Sequence, residues 1–124
     1  MFFLLATVLN TCAISEGAEW IPFFRYAGNS GTVSFDKESI RSASNGIVRV
    51  WVKQENNPPE IRGNMRIEWL VSYIEMDCEN ARHRYLQQIY YLTDGRQHPV
   101  LGTSPWVYNA PQTMPENLKE RVCR

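Results

Sequence analysis

Cysteines, neighbouring acids and clustered arginines are the side chains of this 124-residue chain that could do chemistry. Cys78 ends a long apolar and aromatic run, Cys123 is the penultimate residue, and Cys12 lies within the hydrophobic stretch Met1 to Ile14. If that stretch is a targeting segment, the folded part keeps an even pair. A Cys78–Cys123 bridge clamping the C-terminus onto a strand then implies an oxidising compartment. Cys78 and His83 with the distant His98 make a poor ligand set, so neither a metal nor a cofactor is expected, and both histidines read as ordinary surface or hairpin residues. Glu75 and Asp77 share a strand face, where adjacent carboxyls can tune each other's pKa. They are expected to form a solvated polar face beside Cys78. No serine sits in a nucleophile elbow, and there is no Gly-rich phosphate loop. No catalytic residue is assigned, and the chain reads as a non-enzyme.

The basic residues carry more. Arg49, Lys53, Arg62, Arg66, Arg82 and Arg84 all fall on expected strands or adjoining loops. If Arg82 and Arg84 share a face, they form a stripe able to bind an acidic polymer or an acidic partner segment. The plainer reading pairs the basic residues with Glu68, Glu75, Asp77 and Glu79 on neighbouring strands. Tyr90, Tyr91, Trp106 and Tyr108 read mostly as core, with an exposed aromatic patch as the alternative. Thirteen basic and thirteen acidic residues leave no formal net charge, which gives nucleic acid no electrostatic hold.

These residues need a scaffold, and the length suits one domain in which a disulfide matters. Residues 1–18 read as a signal peptide or lipoprotein leader, and residues 19–124 as the domain. The leader has an apolar core from Phe2 to Leu9 but no Lys or Arg before it. Three routes stay open: cleavage after Ala13 or Ala18, lipidation of Cys12 after a loose lipobox, or a buried N-terminal strand. No later segment has the uncharged apolar length of a bilayer span. Membrane contact would come only through a lipid anchor.

Strands are expected over Glu19–Tyr26, with Pro22 at an edge or bulge, and over Thr32–Phe35, with Asp36 capping the turn that follows. Ser42–Gly46 reads as a turn and Ile47–Lys53 as a strand with Arg49 and Trp51 on one face and Val48, Val50 and Val52 on the other. Glu55–Glu60, with Pro58 and Pro59, reads as an exposed loop. A strand follows over residues 65–77. Asn80–Thr93 fits helix or strand, and its β-formers Ile89, Tyr90, Tyr91 and Thr93 favour strand before an Asp94-Gly95 hairpin turn. Val100 and Leu101 are expected to begin a last strand. Thr113 and Glu116 fit a capping box for a terminal helix whose buried face is Met114, Leu118 and Val122.

The layout resembles the bacterial surface-adhesin protein E-like family over nearly the whole expected domain. The resemblance rests on Trp20, Phe35-Asp36 with Ser39-Ile40-Arg41, Val50-Trp51-Val52 and Asp77-Cys78. It continues through Arg82, Arg84, Tyr91, Asp94-Gly95, Trp106, Pro111, Glu116-Asn117-Leu118 and Val122-Cys123. It implies an α+β fold, mainly an antiparallel sheet of about six strands with a C-terminal helix tied to it by Cys78–Cys123. It further implies a surface lipoprotein of Gram-negative bacteria that binds host matrix or plasma proteins such as vitronectin and laminin, and a homodimer. The alternative is a soluble periplasmic or envelope protein that shares the fold without host adhesion. The matched positions are mostly packing residues, so no ligand-contacting residue is carried over.

Overall fold

In the computed structural model, which describes residues 18–123, the segments rich in β-branched and aromatic residues form one antiparallel sheet of eight strands. In chain order they are β1 (Trp20–Phe24), β2 (Val33–Asp36), β3 (Arg41–Ser44), β4 (Ile47–Arg62), β5 (Met65–Asp77), β6 (Arg82–Leu92), β7 (Gln97–Val100) and β8 (Val107–Tyr108). One helix, α1 (Met114–Val122), closes the chain. Residues 1–17 of the expected leader, Cys12 among them, lie outside the described residues. Among those described, no helix is long and apolar enough to cross a membrane.

The main path runs β1-β2-β4-β5-β6-β7, and the two strands beyond the expected six are short additions at its flanks. β2 pairs with residues 52–54 of β4, leaving the start of that strand's edge to β3. β8 takes the start of β6 in the same way, ahead of β7. Neither β3 nor β8 reads as a strand by pattern. Ser42-Ala43-Ser44, expected as a turn, is extended because it meets an unpaired edge, and the turn itself is Asn45-Gly46.

One side of the sheet packs against α1. Val33, Phe35, Val50, Val52, Ile74 and Met76 meet Met114, Leu118 and Val122 in the main core. Strand alternation and the helical spacing of four direct these side chains to a common interface. Pro22 falls on an edge strand where pairing with β2 shifts, which spares a ladder hydrogen bond. Asp36 accepts from the Glu38 N–H (3.0 Å) and from the Glu19 N–H (2.8 Å), as a cap should. Thr113 is the helix N-cap without a capping box. Its hydroxyl donates back to the Ala110 carbonyl (2.7 Å), and Glu116 lies near Lys119 instead.

The expected loop Glu55–Glu60 is a bulge inside β4. Its pairing with β5 holds to Glu55↔Trp69 and resumes at Glu60↔Ile67. The residues between leave the ladder, so Pro58 and Pro59 forfeit no sheet bond. Asn56 is buried there, its amide donating to the Ile67 carbonyl (3.1 Å) and accepting from Gln54 (2.9 Å). Glycine is required where β2 enters beside this bulge, because a Cβ on Gly31 would sit 2.1 Å from the Glu55 carbonyl oxygen. Val100 ends β7 rather than opening a strand, since the hairpin at Asp94-Gly95 brings Gln97 back onto Tyr91.

Candidate functional site

α1 covers one face of the sheet, and the opposite face carries the residues that could recognise a partner. Residues paired across antiparallel strands share a face. One row runs Arg41–Arg49–Glu75–Arg84 across β3, β4, β5 and β6, and the next runs Ile47–Asp77–Arg82–Tyr108. Further along lie the stacked pairs Trp51–Tyr73 and Trp69–Tyr91, with ring centroids 4.8 and 3.8 Å apart. Between them Lys53 sits 5.3 Å from the Trp20 ring and 5.4 Å from the Trp69 ring. Trp106 lies within cation–π range of both Arg82 (4.6 Å) and Arg84 (4.4 Å). All four tryptophans of the chain therefore belong to this face, each only partly buried.

Beneath the arginines the acids are not solvated, which corrects the sequence expectation. The side chains of Glu75 and Asp77 are 4% and 6% exposed, against 43% for Arg49 and 32% for Arg84. Glu75 accepts from Nε of Arg49 (2.9 Å) and Nε of Arg84 (2.7 Å). Asp77 accepts from Nε of Arg82 (2.9 Å) and from the Asn80 amide (2.9 Å). Burial raises the Glu75 pKa, but the hydrogen bonds and charges of Arg49 and Arg84 outweigh it, leaving the carboxyl below its ordinary value. The Asn80 side chain does most to lower Asp77; burial opposes it and Arg82 assists. Both acids stay ionised under their arginines. The pairing expected from sequence holds for Glu75 and Asp77; among the described residues Glu68 and Glu79 are in no ion pair.

Elsewhere the expected site residues separate. Cys78 and Cys123 are bonded, with Cα atoms 5.8 Å apart, and anchor the end of α1 just past β5. His83 is buried rather than superficial, with Nδ1 2.7 Å from the Asn109 side-chain oxygen, whereas His98 is exposed on β7. Among the described residues no cluster of His, Cys, Asp and Glu is placed to hold a metal ion. Of the four aromatics expected mostly in the core, only Tyr90 is fully buried, and Tyr108 is 74% exposed. On the helix side a cavity of about 500 Å³ is lined by Gln54, Asn56, Ser72, Tyr85 and Gln88. Burial, with the nearby Tyr26 and Tyr90, pushes the Tyr85 phenol up to about 12, so it stays a neutral hydroxyl. Sequence reasoning missed the aromatic ladder as a surface feature. The one signal for it was alternation, which places Trp51 with Arg49 and Lys53, on the face away from Val50 and Val52.

Residues 20–124 match the family described as Surface-adhesin protein E. Solved structures of Haemophilus influenzae protein E share the fold. One crystal form aligns with a TM-score of 0.62 at 14% identity, covering 84% of this chain and 86% of that one. A second structure of that protein aligns with a TM-score of 0.57 at 14% identity, covering 84% and 83%. Protein E from non-typeable Haemophilus influenzae aligns at 0.51 and 13% identity, covering 85% and 84%. No curated protein matches the chain.

Proposed function

We propose that this chain, which belongs to the surface-adhesin protein E family, is an exported, non-enzymatic domain that binds host extracellular-matrix or plasma proteins through its open sheet face. The observation that carries this reading is the face opposite α1, which among the described residues presents four tryptophans, several tyrosines and partly exposed arginines. Trp, Tyr and Arg dominate the energetics of protein interfaces because they combine large apolar area with a polar handle. The Cys78–Cys123 bridge supports maturation in an oxidising compartment, as export requires. The N-terminal stretch within residues 1–18 acts as signal peptide or lipoprotein leader, and the cell surface of a Gram-negative bacterium is the destination. By the lipoprotein route Cys12 is retained as the first residue of the mature chain and carries the lipid.

The test is adhesion of the purified mature protein to immobilised vitronectin and laminin, with Trp51→Ala as the open-face variant. Binding is expected from the parent and several-fold weaker binding from the variant at unchanged thermal stability. Intact mass from the native host supplies the second arm. A mature chain cleaved after Ala13 or Ala18 without lipid, together with no matrix binding, would leave a soluble periplasmic protein and end the adhesin reading.

A further inference from the structure

We infer that Arg49, Arg82 and Arg84 form a docking site for an acidic, extended polypeptide segment. The inference deepens the reading as a protein-binding domain and rests on it, naming the chemistry of the partner. All three arginines engage their buried carboxylates through Nε. Among the described residues none of their terminal Nη nitrogens has a hydrogen-bond partner, while Arg62 spends its Nη groups on Tyr90 and Glu60. Each guanidinium is thus held from below by its Nε bond. Trp106 further steadies Arg82 and Arg84. The ends that grip an oxyanion in a planar fork remain free of every described residue.

The charge is locally unbalanced. Arg41, Arg49, Arg82 and Arg84 stand in the two rows that contain only Glu75 and Asp77 as acids. Arg41 and Arg49 are directly paired, a like-charge contact that costs stability across strands. The surplus is positive in a chain whose formal charge is zero, and the neutralising acids are the buried members. An approaching partner meets guanidinium first.

Spacing selects a peptide over other polyanions. Arg82 and Arg84 are two residues apart on β6, so their stems repeat at roughly 6.6 Å, the same interval that separates alternate side chains of an extended peptide. A segment with acids at alternate positions therefore meets both forks in register. Arg49, across β5, lies roughly 10 Å to the side and serves a flanking carboxylate. The stacked, partly buried rings of Trp51 and Tyr73 continue the face beyond the arginines.

The test is fluorescence anisotropy of the purified mature protein with two labelled octapeptides of four Asp and four Ser, one alternating and one with the acids in a block. The alternating peptide is expected to bind at least about fivefold more tightly. R82K/R84K keeps a positive charge over Asp77 and Glu75 but removes both forks, and should weaken that binding roughly tenfold. R96Q, in the β6–β7 turn, should leave it unchanged. Equal binding of the two isomers by the unaltered protein, which needs no variant to fold, would overturn the site. An R96Q loss matching that of R82K/R84K would overturn it too, as would a sulfated polysaccharide that binds where neither peptide does. Matrix adhesion that persists while both peptides fail removes this site and leaves the adhesin reading standing; failure of both removes the reading with it.

Discussion

Replacing both bridge cysteines, Cys78→Ser with Cys123→Ser, should release α1 before it disturbs the sheet. The bridge joins residues 45 apart in sequence. Loop-closure entropy for that separation gives about 4 kcal/mol of lost stability. In a domain of this size, that corresponds to a drop in Tm of roughly 15 °C. The loss should not fall evenly. α1 has nine residues, too few to be stable alone, and docks through Met114, Leu118 and Val122. β4, β5 and β6 are instead tied by long ladders whose pairing resumes after each bulge. Amide hydrogen exchange on the double variant should show residues 118–122 losing most of their protection well below the global transition, with β4–β6 amides still protected. Circular dichroism at 222 nm should show the matching loss of helix at moderate temperature. Unchanged protection of α1, with a Tm shift under about 4 °C, would refute the argument that the bridge holds the helix down.

Leu118→Ala empties a fully buried position between α1 and the sheet and should cost about 2–5 kcal/mol by urea denaturation, with the C-terminal helix the first element to exchange. Gly31→Ala drives a methyl against the Glu55 carbonyl and should cost about 1–3 kcal/mol, because backbone on both sides must move; a neutral result in the same assay would mean β2 shifts freely. Glu75 and Asp77 have lowered pKa values in the fold, so their contribution is fully present above their ordinary values of 4.5 and 3.8 and fades as pH falls through the lower folded ones. Stability should therefore decline below about pH 4, and Glu75→Gln should flatten that decline; an unchanged slope would place the acid-sensitive groups elsewhere.

Most of the strands and the helix were legible from residue type and period. Val48-Arg49-Val50-Trp51-Val52 alternates cleanly, and Met114, Leu118 and Val122 share one helical face, because local geometry alone decides which side chains point together. The bulge through Pro58 and Pro59 was not legible, since a proline pair reads as a loop unless a neighbouring strand resumes pairing beyond it. Strands β3 and β8 were hidden for the same reason: their pairing is a property of the edge they meet. Sequence also placed Glu75 and Asp77 on one face together, but whether water or arginine would satisfy them depended on strands that come before and after β5. The types and alternation of residues determined by themselves which side chains travel together. Only the tertiary structure decided which face the helix covers, and so which acids are buried and which arginines and tryptophans are left to meet a partner, because burial is settled by contacts distant in the chain.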